Sequence, residues 1–150
     1  MALSLVTVAD SISKVVVSGV RICDLDEIPT AADLARTPTL FPEPVGFVQG
    51  LQVERDSYGT GTSAKKHTTY QLRYTFAYQP AGNERGLSAQ YPTMVDLAAD
   101  ILDAFIADDD LTGVIDIVPS IIGGFGVVFG PDGTTYIGCT FEFTCFEFIN

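Results

Sequence analysis

Basic residues are scarce in this sequence, and none follows residue 85. Its 150 residues include 8 Lys and Arg against 19 Asp and Glu, a formal net charge of -11. All eight bases fall within residues 1–85, whereas residues 86–150 contain ten acids and no base. Lys and Arg contacts to phosphate dominate nucleic-acid affinity, and a surface of this sign repels polyanions. We therefore expect no stable binding of nucleic acid.

The residues that usually carry out chemistry are also few. There is one histidine, His67, and no C-x-x-C or H-x-x-x-H pair that could hold zinc. A lone loop histidine without a placed acid or thiol is typically solvated. No serine lies in a G-x-S-x-G elbow, and no spacing singles out a carboxylate pair among the 19 acids. We expect no enzyme, no cofactor and no metal.

The three cysteines do not suggest a disulfide. Cys139 and Cys145 share one strand face and lie about 20 Å apart at the rise of a strand, which is too far for a bridge. With Cys23 the number is odd, so reduced thiols are expected.

Long hydrophobic runs are missing as well. No uncharged apolar run reaches the roughly 18 residues needed to cross a bilayer. The first ten residues lack the basic region of a signal peptide and end on Asp10. We expect a soluble protein that is not exported by this route and has no membrane partner.

Two near-matches to binding motifs fail on spacing. Asp108, Asp110 and Gly113 occupy positions 1, 3 and 6 of a calcium loop, but Pro119 replaces the ligand at position 12. The simpler interpretation of the acidic run is a solvated helix end. The glycines of residues 123–130 match neither phosphate-loop pattern, so they are expected to permit twist and close backbone approach in a strand.

The clearest pattern is near the carboxyl end. From Ile137 to Cys145 every second residue is apolar, which is typical of a half-buried strand. After Cys145 the apolar residues change parity, to Phe146 and Phe148. This slip indicates either a β-bulge or a change of packing surface. So aromatic a segment is either the centre of a sheet or a surface that a second molecule covers.

Two amphipathic helices are predicted. Apolar residues recur at helical spacing over 5–17 and, more strongly, over 92–107, where Pro92 suits the first turn. Between them, four prolines in 20–44 oppose regular structure, so we predict a surface connection with at most one helical turn.

The remaining segments predict strands. Alternation over 45–55 and 68–78 indicates a hairpin around a glycine-rich tip at 56–67. A short strand at 114–118 should end at Pro119, and residues 124–129 should pair with the terminal strand through a turn at 130–133. The prediction is one α+β domain spanning residues 1–150, with a mostly antiparallel twisted sheet and a long hairpin, packed by two main helices.

This order of elements resembles the tail terminator, or tail-completion, proteins of long-tailed bacteriophages. The features concerned are the helix at 5–17, the proline-rich connection at 29–44, the hairpin at 45–78 with its tip at 59–63, the helix at 92–107 and the closing hairpin at 124–148. The similarity covers nearly the whole chain but is one of size and pattern, without a diagnostic motif.

The resemblance implies a structural virion protein assembled in the host bacterial cytoplasm. Such proteins form a homo-oligomeric ring, commonly a hexamer, at the head-proximal end of the tail tube. The ring would end tube polymerisation and offer a surface to the neck or connector protein for head-tail joining. DNA would pass through without specific binding, which suits a negatively charged lumen.

Candidate contact residues come from the hairpin tip and the terminal strand: Tyr58, Lys65, Lys66, His67, Phe146 and Phe148. Asp108, Asp109 and Asp110 are candidate lumen-facing acids, with plain solvation as the alternative. Two other functions remain open. Another connector or tail tube subunit would share the charge and the strand pattern. A monomeric small-ligand domain would instead show a single 16.1 kDa species and a concave apolar pocket.

Overall fold

The computed structural model describes residues 5–43, 55–58, 66–81, 87–131 and 133–149. These residues form, in chain order, α1 (Leu5–Ser13), β1 (Arg21–Ile22), α2 (Ala31–Arg36), β2 (Thr39–Pro42), β3 (Arg55–Tyr58), β4 (Lys66–Pro80), α3 (Leu87–Ala107), β5 (Asp116–Phe129) and β6 (Thr135–Ile149). The six strands belong to one sheet, in which β1 and β2 are parallel and the other pairs are antiparallel. The α+β prediction with a mostly antiparallel sheet is confirmed.

The terminal strand β6 lies inside the sheet, between β4 and β5. The strand order is β1-β2-β4-β6-β5, and β3 adds to β4 on the side where β2 also pairs. The β4–β6 register extends from Lys66 opposite Ile149 to Pro80 opposite Tyr136. Of the two interpretations of the aromatic terminus, the central strand is the one observed.

The parity change at Cys145 and Phe146 is not a bulge. Both residues keep continuous register with β4 and with β5. The irregularities lie elsewhere, between Ala77 and Gln79 in β4 and between Ile122 and Gly126 in β5. Of the two interpretations of this slip, the β-bulge is therefore wrong, and the change of packing surface is the one that remains.

The main core lies between one face of the sheet and two helices. Strands β4 and β6 contribute alternate residues, and α1 and α3 contribute their inner stripes. The Phe143 ring packs 4.6 Å from that of Phe105 on α3 and 5.2 Å, edge-on, from that of Tyr74 on β4, between ring centroids. Each fully buried side chain of this size stabilises the fold by roughly 1.5–3 kcal/mol. The cluster includes Val8, Ile12, Leu72, Tyr74, Phe76, Met94, Ala98, Ile101, Phe105, Ile137, Cys139, Phe141, Phe143 and Cys145.

Both main helices exist, with different ends from those predicted. Helix α1 ends at Ser13 rather than at residue 17. The β-branched residues that follow instead form an isolated bridge between Val17 and Val20, around Gly19 at a φ of 79°. Helix α3 begins at Leu87, so Pro92 lies inside it rather than in its first turn. Pro92 lacks a backbone N–H, so one hydrogen bond of the helix is missing there, but the helix continues on both sides of this residue.

The prediction of an irregular surface connection over 20–44 is wrong. This segment contains β1, α2 and the fully buried strand β2. Thr30 starts α2 with a reciprocal cap: its side chain accepts from Asp33 N, and its own N–H donates to the Asp33 carboxylate, each at 3.2 Å. The prolines did not prevent this structure because Pro29 precedes the cap and Pro38 precedes β2.

Helix α2 covers part of the second face of the sheet. Leu34 joins a smaller buried cluster with Phe41, Tyr136, Cys23 and Ala77. The helices therefore lie on both faces, although α2 covers only one end of its face.

The predicted hairpin is confirmed for β3 and β4, which pair from Arg55 opposite Tyr70 to Tyr58 opposite His67. The part of its first strand at 45–54 lies outside the described residues. Residues 56–58 and 66–67 belong to strands, so the hairpin loop is shorter than the predicted 56–67.

The strand that was predicted to stop at Pro119 continues as β5 to Phe129, so two predicted strands are one. Pro119 is tolerated because β5 is an edge strand of the described sheet, where a missing N–H need not break a ladder.

Gly138 permits a close backbone approach between β4 and β6. A Cβ at this position would collide with the carbonyl oxygen of Phe76, beside the irregularity in β4.

We predict that Gly138→Ala lowers the free energy of unfolding by roughly 1–3 kcal/mol, since the two central strands must move apart. Urea unfolding measures this change. Gly126→Ala is the matched control, because its Cβ would meet no atom within 4 Å; an equal loss in both variants would contradict the explanation.

Candidate interaction surfaces

The candidate contact residues meet at one end of the sheet. Tyr58 ends β3 and pairs with His67 of β4, and His67 pairs in turn with Phe148 of β6. Residues far apart in the sequence thus occupy one row across three strands. Lys66 precedes this row, opposite Ile149. Lys65 lies outside the described residues.

Phe146 lies two positions along β6 from Phe148 and pairs with Thr69. It is on the opposite side of the strand from Cys145, which belongs to the main core. Phe146 therefore belongs to the second face of the sheet and is partly buried there. The structure places Tyr58, Lys66, His67, Phe146 and Phe148 near one another, and their role as contacts stays a prediction.

The three consecutive acids after α3 have different environments. The Asp108 carboxylate accepts hydrogen bonds from the backbone N–H of Thr112, at 2.8 Å, and from its hydroxyl, at 3.1 Å. These bonds support a turn in which Leu111 and Thr112 both have positive φ, at 48° and 58°. Asp108 therefore has a structural role that is sufficient to explain it.

Asp109 and Asp110 are exposed, and their main chains hold the following strand in place. The carbonyl of Asp109 accepts from Ile117 N at 2.8 Å, and that of Asp110 accepts from Val114 N at 2.9 Å. Their carboxylates project from a turn that the backbone fixes. Of the three candidate lumen acids, these two remain available to face a channel or solvent.

The second face of the sheet is polar away from α2. Strand β4 places Gln71, Arg73 and Thr75 there, and the residues paired with them on β6 are Thr144, Glu142 and Thr140. The Arg73 Nε lies 3.4 Å from Glu142 Oε2, and both side chains are mostly buried. Glu43, which follows β2, completes the row, since its backbone N–H donates to the Arg73 carbonyl at 3.2 Å.

Glu43 is the buried carboxylate of this row. Its Oε1 accepts a hydrogen bond from the Thr75 hydroxyl at 3.2 Å, while Oε2 is buried with no partner among the described residues. Burial raises the pKa of Glu43 above its ordinary value, although the Thr75 hydroxyl and the nearby Arg73 oppose this shift.

The three thiols are buried and free, as expected for reduced cysteines. Burial raises the pKa of Cys23 to about 11 and those of Cys139 and Cys145 to about 12. Since the thiolate is the nucleophile, these groups are inert near neutral pH. Burial also raises the pKa of Tyr74, so its phenol stays neutral.

The outer edge strand β5 is a surface that the sequence prediction missed. Val118, Val127 and Phe129 are 52%, 61% and 56% exposed, and each lies on β5. The Phe125 ring is partly buried against Tyr91 of α3, at 6.0 Å between centroids. One signal was available, because a proline within an apolar strand marks an edge. The lateral position of β5 depends on long-range pairing that alternation does not encode.

The described part of the chain also bears on metal sites and on membrane spans. No group of three or more His, Cys, Asp or Glu side chains there could hold a metal ion. Within those same residues, no helix is both long and apolar enough to cross a membrane.

Comparison with known proteins adds no family. No protein-family model matches the chain, and no curated protein matches it.

Because the pKa of Glu43 is raised, its contribution to the free energy of unfolding should change with pH in the opposite direction from that of an acid whose pKa is lowered. The folded state binds this proton more tightly than the unfolded state, so stability falls as pH rises above the ordinary value of 4.5. The free energy of unfolding of Glu43→Gln, relative to the wild type, should therefore rise between about pH 4 and about pH 7. Urea unfolding at each pH measures the difference.

Asp33→Asn is the control, and its change in stability with pH should have the opposite sign. The backbone N–H of Thr30 lowers the pKa of Asp33, so its contribution is present above the ordinary value of 3.8 and is lost on acidification. Relative to the wild type, this variant should lose stability as pH rises from about 2 to about 5. The same trend in both variants would contradict the assigned shifts.

Proposed function

We propose that this chain is a structural virion protein, a tail terminator of a long-tailed bacteriophage. In this proposal, copies of the chain form a ring, with six as the expected number, at the head-proximal end of the tail tube. The ring ends tube polymerisation and presents its other side to a neck or connector protein. DNA passes through it without being bound.

The observation that carries the proposal is the free, apolar edge of the sheet. Strand β5 is 14 residues long, and no strand of the described residues pairs with its outer side. Pro119 and the irregularity between Ile122 and Gly126 interrupt this edge, but residues 126–129 are regular and expose Val127 and Phe129. A regular, apolar stretch of edge invites pairing with another chain. An assembling subunit uses the same feature as a contact.

The charges support passage of DNA rather than its retention. Three of the four bases whose side chains are described form ion pairs within the chain: Lys14 with Asp10, Arg21 with Glu27 and Asp33, and Arg73 with Glu142. Asp109 and Asp110 are exposed beside α3. Bases that are already paired and carboxylates that are exposed repel the phosphate backbone rather than bind it.

The described thiols and the Arg73 guanidinium are engaged in the fold. The three thiols lie in the core with raised pKa values, and Arg73 already pairs with Glu142. These features favour a protein that acts through its surfaces.

The proposal predicts a change in tube length and a change in mass. When this chain is added to polymerising tail tube protein of the same phage, tubes should stop growing, and electron microscopy should show a ring at one end. Light scattering should detect a species of about six times 16.1 kDa, alone or released from tubes. The control is bovine serum albumin at equal concentration. Unchanged tube lengths, with the chain single at every concentration, would contradict the proposal.

A further inference from the structure

The first half of the β5 edge is unsuited to pairing with a further strand. The Ile117 N–H donates to the Asp109 carbonyl at 2.8 Å, so this donor is already used, and Pro119 has no N–H. The irregularity between Ile122 and Gly126 follows. These features interrupt the edge in the way that soluble proteins use to prevent pairing.

The second half of the edge presents backbone groups to a neighbour. Gly130 N donates inward to Thr134 O at 2.8 Å across the turn. Because successive amides in a strand point to opposite sides, the Val128 amide points inward, and those of Val127 and Phe129 point outward. No strand of the described residues pairs with this outer side. Two donors and two acceptors are therefore directed away from the sheet.

Apolar side chains accompany these backbone groups. Val127 pairs with Ile137 of β6, which is buried in the main core, so Val127 and Phe129 belong to the face of the sheet on which α3 packs. They are nevertheless 61% and 56% exposed. The Phe125 ring, two positions before Val127, packs 6.0 Å from that of Tyr91 on α3. The open stretch of edge thus continues an apolar strip.

The open stretch lies in an uncharged part of an acidic chain. Two copies with a net charge of -11 each repel one another, so their contact is favoured where charged side chains are absent. Residues 87–95 contain no charged residue, and residues 117–141 contain one, Asp132. Asp116, the exposed acid that begins β5, lies about 30 Å from Gly126 at the rise of a strand. The neutral edge favours an equally neutral strand over a basic segment as its occupant.

The open stretch is complementary to itself. A two-fold axis through Val128, perpendicular to the sheet, places a second copy of the strand antiparallel to the first. Val127 of each copy then lies opposite Phe129 of the other, and each of these pairs exchanges two backbone hydrogen bonds. All the outward donors and acceptors of both stretches are satisfied in this way. The Val and Phe side chains meet on one face, as a favourable cross-strand pair.

We propose that residues 126–129 pair antiparallel with the same residues of a second copy, which makes the free chain a two-fold dimer. The contact is small, so the dimer is in concentration-dependent equilibrium with the single chain. This inference goes beyond the proposed ring function and does not depend on it. If the ring also uses this edge, the dimer must separate before the ring forms.

Analytical ultracentrifugation over a range of protein concentrations measures the equilibrium. The mass of the wild type should rise from 16.1 kDa to twice that value. Val127→Lys places a charge in the contact and should raise the dissociation constant roughly tenfold or more. Val118→Lys, at a 52% exposed residue in the interrupted half of the same strand, is the matched control and should dimerise like the wild type. A wild type that stays single at every concentration, or an equal loss in both variants, overturns the inference.

Disulfide trapping tests the register. The two-fold axis places the two Val128 residues opposite each other in a non-hydrogen-bonded pair, with Cα atoms about 4.5 Å apart, which a disulfide can span. The two Phe129 residues are diagonal neighbours, about 7–8 Å apart, which is too far. The native thiols are buried. On mild oxidation Val128→Cys should therefore form a covalent dimer on a non-reducing gel, and Phe129→Cys should not. Any other pattern overturns the inference, and urea unfolding checks that both variants are folded.

The dimer and the ring can fail separately. Tubes that stop growing when they meet a chain that never dimerises overturn the inference and leave the proposed function standing. A trapped dimer supports the inference even where tube lengths stay unchanged and no species of ring mass appears, which would contradict the proposed function alone.

Discussion

The antiparallel pairing of β4 with β6 is the interaction on which the rest of the structure depends. It joins two 15-residue strands over nearly their whole length, and every other strand except β1 pairs with one of them. The alternate side chains of these strands form the layer on which α1 and α3 pack. Gly138 allows the two backbones to approach beside the irregularity in β4, so a position without a side chain sets the geometry at the centre of the sheet.

The two faces of the sheet on either side of this central pair differ in polarity, and the two edge strands differ in length and exposure. One face is apolar and covered by helices, while the other places the Arg73–Glu142 pair among threonines and buries Glu43 beside them. The lateral strands differ too. Strand β1 is two residues long and lies near charged side chains, whereas β5 is long and exposes Val127 and Phe129. A molecule with two unlike edges is suited to head-to-tail repetition, which is the arrangement that a closed ring requires.

Residue spacing in the sequence is sufficient to predict those helices and strands that bury one face. The apolar stripe of α3 and the alternation of β6 each reflect a single buried face, so their existence could be predicted from residue spacing. The segment at 20–44 could not, because its prolines lie beside the ends of short elements and the Thr30–Asp33 cap overrides their density. The continuation of β5 through Pro119 could not be predicted either, because proline is tolerated at an edge and the edge position depends on which strand pairs with which.

The candidate surfaces show the same limit. Tyr58, His67 and Phe148 come from two separate segments of the sequence, and only the register of three strands brings them into one row. Asp108 belongs to the same acidic run as Asp109 and Asp110, but its hydrogen bonds to Thr112 give it a different role. The exposure of the β5 residues could not be predicted from the sequence, since an apolar residue in a strand has the same pattern whether a neighbouring strand covers it or not.

Amide hydrogen exchange along β5, compared between the single chain and the assembled ring, tests the central claim most directly. If the edge of the sheet is the subunit contact, the outward amides of residues 126–129 should exchange more slowly in the ring, while those in the middle of β6 remain equally protected in both. Equal exchange at 126–129 in the two states, in an assembly of ring mass, would contradict the account.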